Sequence, residues 1–253
     1  MAAHRSTTTL AVGAVTAALA VAGCGTDDNA STAASTTLPQ GSESVELDPA
    51  DFTVEIDNPY WPMKPGSRWV YREYDAQGPA QRVVVTVTPR TKVLAKGVEA
   101  RIVRDEVTEG GVPVEITEDW YAQDADGNVW YLGEATTEYE DGKPSSTAGS
   151  FEAGVDGAQP GIAMPAEPRP GLAYRQEYYA GEAEDRAQIV ALDLQAEVPF
   201  GHFTDVLMTR DVNPLEPKVL ELKLYARGVG PVLAVGISGG SDREELQSYT
   251  EGG

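Results

Sequence analysis

The sequence predicts an all-β protein: an antiparallel meander whose sheet is strongly curved or closes into an incomplete β-barrel, with a long Pro/Gly-rich flap. Three observations predict it. Apolar residues recur at every second position, as in Leu220, Leu222 and Leu224, which alternate with Glu221, Lys223 and Tyr225; this is the period of a strand with one covered side. Turn pairs separate the runs, at Gly110-Gly111, Asp126-Gly127, Asp141-Gly142, Arg227-Gly228 and Gly239-Gly240. No segment sustains a helical period, and Ala180 to Leu192, which comes nearest, suits one helical turn. A sheet with one apolar side must curl on itself or pack on a second layer, so a two-sheet sandwich is the second choice.

Residues 1–23 read as a lipoprotein signal peptide. His4 and Arg5 precede an uncharged apolar run from Leu10 to Ala22, too short for a membrane span of roughly 20 residues. Cys24 is the single cysteine of the chain. Val21-Ala22-Gly23-Cys24 resembles the lipobox of bacterial lipoproteins, which implies lipidation (diacylglycerol, palmitate) of Cys24 and an extracytoplasmic protein held to the cell membrane by its lipid. The other reading is an ordinary signal peptide with an incidental thiol, a liability in an oxidising compartment.

Residues 24–50 follow as a lipidated cysteine and flexible tether, because GTDDNASTAASTTLPQGSESVELDPA has almost nothing to bury. Residues 51–250 form one β domain. Its strands include QIVALDLQAEV, with Val190, Leu192, Leu194 and Ala196 on the apolar face. They also include the run with Val83, Val85 and Val87, and the one with Val114, Ile116 and Trp120 set between Glu115, Thr117 and Asp119. Within this domain 142–171 reads as the flap loop, since Pro144, Pro160, Pro165, Pro168 and Pro170 remove ladder donors. Phe151, Ile162 and Met164 give the flap something to bury across one end of the sheet.

The formal charge is −21, and loss of the signal, which carries Arg5 and no acid, deepens it to −22. Such a surface repels nucleic acid, so no nucleic-acid partner is expected. It keeps a tethered domain standing off an anionic membrane.

The stretches NPYWPMKPGSRWVY (58–71), DADGNVWYLGE (124–134), GAQPGIAMPAEPRPG (157–171), YRQEYYAGEAEDRA (174–187), VPFGHFTDVLMT (198–209) and YARGVGPV (225–232) resemble a group of uncharacterised bacterial secreted proteins and lipoproteins, largely actinobacterial. The resemblance spans Asn58 to Val232. It implies a family with its own architecture and brings no activity with it. VPFGHFTDV and YARGVGPV also look like the last strands of envelope proteins with curved antiparallel sheets.

Several motifs invite chemistry. GISGG at Gly236–Gly240 fits the Gly-x-Ser-x-Gly elbow of hydrolases, which needs a later histidine that this chain lacks. DADGN at Asp124–Asn128 approaches a calcium loop, but Ala122 and Gly133 stand where the first and twelfth ligands belong; a hairpin turn between flanking strands is the simpler reading. His202 has no cysteine partner for a structural zinc site, so no metal ligand is assigned, and a turn residue is its simpler role. The densest polar cluster runs from Arg175 to Arg186. There Glu177, Glu182, Glu184 and Asp185, with His202, are the candidate ligand-binding residues. Two of the acids facing each other would share a proton for glycosidic chemistry or hold calcium as a cofactor; the simpler role is to fix the flap through arginine and backbone partners.

No catalytic residue is assigned, and the leading function is non-enzymatic: a membrane-anchored extracytoplasmic binding or envelope-accessory lipoprotein. Its partners would be the membrane through Cys24 and an envelope protein or small apolar ligand. One alternative is a lipid or lipoprotein carrier with a half-open barrel, whose wide apolar cavity would be lined by residues such as Val190, Leu192, Leu220 and Leu222. The other is a carboxylate-based hydrolase.

Overall fold

The computed structural model describes residues 38–74 and 79–253. The signal segment, Cys24 and the first part of the tether lie outside the described residues. From residue 38 on the chain is one compact unit made almost wholly of strands: β1 (Phe52–Thr53), β2 (Arg68–Tyr74), β3 (Gln81–Val93), β4 (Glu99–Glu109), β5 (Val112–Asp124), β6 (Val129–Glu140), β7 (Lys143–Ser146) and β8 (Phe151–Glu152). There follow β9 (Gln159–Met164), β10 (Ala173–Arg175), β11 (Glu177–Tyr178), β12 (Arg186–Val198), β13 (Gly201–Val212), β14 (Leu220–Ala226), β15 (Gly230–Ser238) and β16 (Arg243–Thr250).

The hydrogen-bonded order is β10-β12-β13-β14-β15-β16-β2-β3-β4-β5-β6-β9-β11, and every pairing in it is antiparallel. Its two ends, β10 and β11, are consecutive in the chain with only Gln176 between them. One stretch of backbone therefore pairs with β12 on one side and with β9 on the other. The sheet rolls into a nearly closed barrel whose ladder is unsealed at this seam, as the sequence predicts.

Two residues let the seam close. A Cβ on Gly161 would lie 2.2 Å from the Gln176 carbonyl oxygen and 2.6 Å from that of Arg175, so only glycine permits this backbone approach. Arg175, 1% exposed, donates from Nε (3.1 Å) and Nη2 (2.8 Å) to the Pro160 carbonyl on β9. Its Nη1 donates to the carbonyls of Glu43 (2.9 Å) and Gly41. The fixed fork of guanidinium donors binds carbonyls from β9 and from the segment over the seam at once.

Those contacts correct the tether. Residues 38–50 do not hang free; they form a strap over the seam. Besides the two carbonyls bound by Arg175, Pro39 accepts from the Arg175 backbone N–H (2.6 Å) and Val45 N–H donates to Gln159 Oε1 (3.2 Å). Leu38, Val45 and Leu47 pack on the core. These few aliphatics suffice because Arg175 supplies the polar partners.

The flap is also more ordered than a loop. Residues 142–171 contain β7, β8 and β9, and β9 is a stave of the barrel between β6 and β11. The carbonyl that Pro160 retains is bound by Arg175. The part after β9 does behave as a flap, pinned across one barrel end by Asn58 Nδ2 to the Pro165 carbonyl (3.2 Å) and Ala166 N–H to Asn128 Oδ1 (2.8 Å).

Three strands turn the opposite way from the simple apolar-in reading. On β14 it is Glu221, Lys223 and Tyr225 that face the lumen, while Leu220, Leu222 and Leu224 lie on the outer face and are half-buried. On β5, Asp119 and Tyr121 face inward, and Trp120 is buried on the outside under Lys92, whose ammonium lies 3.3 Å from the ring centroid. On β12 the register shifts at Ile189/Ala191, Ala191/Leu194 and Leu194/Ala196. Bulges of this kind reset which face is covered, so Ile189 is fully buried and Val190 is 40% exposed.

The outer wall carries ion pairs Arg90–Glu118, Arg104–Glu106 and Arg243–Glu245. A strand facing lipid does not keep such charges. Among the described residues, no helix is long and apolar enough to cross a membrane.

Candidate functional site: the barrel lumen

The two halves of the lumen differ. At one end the segment from Asn58 to Ser67 folds into the barrel, turned by Tyr60 N–H donating to Asn58 Oδ1 (3.0 Å) and tied to the wall by Gly228 N–H donating to the Pro59 carbonyl (2.7 Å). It carries Met63 and Trp61 inward. Met63, Trp69, Val87, Val103, Leu207, Val232 and Leu246 form a tight apolar core there. Trp61 lies between two tyrosines, its ring 5.8 Å from that of Tyr121 and 5.6 Å from that of Tyr225.

Against this plug lies a cavity of about 250 Å³, lined on one side by Met63, Val87, Val103 and aromatic rings and on the other by Asp105, Asp119, Glu244, Lys223 and Gln176. Register explains the convergence. Val85 pairs with Asp105, Val103 with Asp119, Asp119 with Glu134, Ala234 with both Lys223 and Glu244, and Glu244 with Glu73. Directly paired residues share a face, so the inner face of the barrel gathers acids from β2, β4, β5, β6 and β16 and one lysine from β14. A second cavity of about 470 Å³ lies farther along the same acidic half and is lined by Glu73, Glu115 and Glu138 among others.

Lys223 Nζ bridges Asp211 (3.3 Å) and Glu221 (3.2 Å). Its side chain keeps 36% of its surface accessible although protein surrounds it; the accessible part is what it shows to the cavity. Burial pulls Lys223 downward, and the acids around it, Asp211 and Glu221 first, outweigh that and hold it above its usual value. Asp119 accepts a hydrogen bond from Tyr131 Oη (2.8 Å), which also reaches Glu134 (2.9 Å). Burial, then Glu134, holds Asp119 well above the carboxylate range.

Asp105 and Glu244 are less well provided. The Asp105 Oδ1 is buried without a hydrogen-bond partner, and burial with repulsion from Glu115 pushes that carboxyl up to about 7. Glu244 makes no hydrogen bond or ion pair among the described residues, and burial followed by repulsion from Asp105 and Glu73 raises it to about 8. In both, burial and like charge outweigh what compensates them, a backbone hydrogen bond for Asp105 and the nearby Lys223 for Glu244.

Of the residues marked out in the sequence, Glu177 and Asp185 come together beside the seam. Gln176 N–H and Glu177 N–H donate to the Asp185 carbonyl (2.8 and 3.4 Å). Burial, then the charge of Asp185, pushes Glu177 up to about 9, and burial raises Asp185 as well. The other candidates do not join them. Glu182 is exposed, Glu184 accepts from Gly181 N–H (3.0 Å) within its own turn, and His202 is exposed at the far end of β13 from Asp211. No group of three or more His, Cys, Asp or Glu among the described residues is arranged to hold a metal ion.

The motifs resolve as local structure. The Asp124 carboxylate accepts from Asp126 N–H (3.1 Å), Asn128 N–H (2.8 Å), Asn128 Nδ2 (2.8 Å) and Trp130 Nε1 (2.7 Å), so DADGN is the hairpin turn joining β5 to β6. Ser238 Oγ donates to the Lys218 carbonyl (2.8 Å) at the end of a strand, not on a strand-to-helix elbow. The lumen residues Asp105, Asp119, Lys223 and Glu244 were not singled out in the sequence. The signal for them is the repeated company of a tyrosine with charged residues on one strand face, in Glu221-Lys223-Tyr225 and in Asp119-Tyr121.

No protein-family model matches the chain, and no curated protein does. Among solved structures, the 2.70 Å crystal structure of a "putative lipoprotein" from Parabacteroides distasonis ATCC 8503 is similar at 12% identity, over 76% of this chain and 99% of that one, with a TM-score of 0.40.

Proposed function

We propose that this protein is an extracytoplasmic binding protein, held to the membrane by a lipid on Cys24, that receives a small ligand inside its barrel. One observation carries the binding reading: the lumen is packed at one end and keeps a hollow beyond it, and the hollow sets Asp105, Asp119, Glu244 and Lys223 against an apolar and aromatic wall. A barrel whose interior serves stability alone fills it with apolar side chains. Here several carboxyls are held far from their ordinary ionisation, which is frequent at functional sites. The anchor rests on the lipobox and on the short apolar run before it, and the ion pairs on the outer wall favour a barrel that stands in water.

The alternatives fit less well. A lipid carrier with Val190, Leu192, Leu220 and Leu222 lining its cavity has no support, since none of the four lines the cavity. For the glycosidic reading, Glu177 and Asp185 lie beside the seam and neither lines the lumen cavity.

Native mass spectrometry of the full-length protein, purified gently from its own host, tests the reading. A co-purifying small molecule that is lost when Ala234→Trp fills the lumen supports it; a clean apo mass in both forms counts against it. For the anchor, Cys24→Ser should move the protein out of the membrane fraction, and retention there would refute lipidation.

A further inference from the structure

Resting on the binding reading above, the geometry points to the chemical class of ligand: we infer that the lumen takes an organic cation, an ammonium group carried on a flat or apolar body.

Charge comes first. Asp105, Asp119 and Glu244 line the cavity against one cation, Lys223, and that cation is already engaged by Asp211 and Glu221. Tyr131 serves Asp119, which leaves the unpartnered Asp105 Oδ1 and the Glu244 carboxylate. Burying such groups is unfavourable by several kcal/mol until a positive partner arrives. An anion would be repelled, and a neutral apolar guest would leave both acids as they are.

The remaining walls specify the body of the guest. Trp61, Trp69, Tyr71, Tyr121 and Tyr225 face the same cavity. Trp69 Nε1 is committed to the Val229 carbonyl (2.8 Å) and Tyr71 Oη to the Pro231 carbonyl (3.0 Å), so these rings have their polar tips occupied and contribute aromatic surface. Aromatic faces attract cations and stack on flat groups. A volume of about 250 Å³ exceeds the roughly 150 Å³ that holds a benzene ring. A bare hard cation fits poorly, because calcium seeks about six to eight oxygens and no three acids among the described residues are grouped for a metal.

The test is isothermal titration of the full-length protein in detergent with phenethylamine, its neutral analogue 2-phenylethanol and the anion 3-phenylpropionate. Saturable one-to-one binding of the amine is expected, about tenfold or more tighter than either analogue. Asp105→Asn combined with Glu244→Gln should weaken the amine by about tenfold or more and leave 2-phenylethanol unchanged; both changes are nearly isosteric and remove buried charge, so the variant should fold. Equal binding of amine and alcohol, or an amine affinity indifferent to the double variant, overturns the cation class while leaving the lumen a binding site. Failure of the amine to bind also overturns it, and the native mass spectrum then decides separately whether the lumen holds any ligand.

Discussion

The plugged half and the acidic half of this lumen are built from the same strands, a few residues apart, and obey opposite rules. Around Leu207, Val232 and Leu246 the barrel behaves as an ordinary core: each side chain is fully buried and none reaches the cavity. Around Asp105 and Glu244 the wall keeps charges without partners and space without atoms. The difference shows that fold stability and the candidate site occupy separate rungs of one barrel, so changes at the two ends should have opposite signs.

The largest effect is expected at the plug. Leu246→Ala should destabilise the protein by about 3 kcal/mol, read by urea unfolding, because Leu246 is fully buried away from the cavity and its loss empties a filled core. A loss below about 1 kcal/mol would mean that this end is loose as well. In the acidic half the sign reverses: Asp105→Asn should stabilise the unliganded protein by about 2 kcal/mol at pH 8, since the native carboxyl, at about 7, must ionise there without a counter-charge. At pH 4 the gain should vanish, because native Asp105 is protonated at no penalty.

The whole chain should follow the same sign. Asp105 at about 7, Glu244 at about 8 and Glu177 at about 9 all lie above the roughly 4 of unfolded carboxylates. The folded state therefore holds protons that the unfolded chain has released, and stability falls as pH rises from about 4 to about 9. Lys223 is charged in both states across that window and does not alter the slope. Calorimetric melting at pH 5 and pH 9 should show the lower midpoint at pH 9; an equal or higher midpoint would contradict the raised acids. The smallest effect is reserved for the hollow: Ala234→Val should change stability by less than about 1 kcal/mol, whereas added bulk in a packed core costs about 1 to 3 kcal/mol.

Architecture was legible because it depends on local chemistry. Period-two alternation and glycine turns specify antiparallel strands, and 142–171 announces an interruption through its prolines. The phase of the strands was not legible in the same way. Alternation distinguishes two faces of Leu220–Tyr225 without saying which one is inside, and a barrel with a charged lumen inverts the usual assignment. On β12 even the alternation misleads, since three register shifts separate Val190 from Ala196. For the site, a local cluster of acids led to Glu177 and Asp185, which lie together beside the seam. Asp105, Asp119, Lys223 and Glu244 lie up to 139 positions apart in the chain, and only strand pairing brings them to one inner face. Arg175, read as one member of a polar cluster, proves to be what holds the seam and converts part of an apparent tether into a strap.

That strap has a mechanical consequence. Whatever precedes Leu38 joins the barrel through it, so if Cys24 is fixed to a membrane, as proposed above, any pull between membrane and barrel enters at Pro39, Gly41 and Glu43. From there it passes to Arg175 and across to Pro160 on the facing edge. The leash and the clasp are the same handful of hydrogen bonds, and a tug on one is felt first by the other.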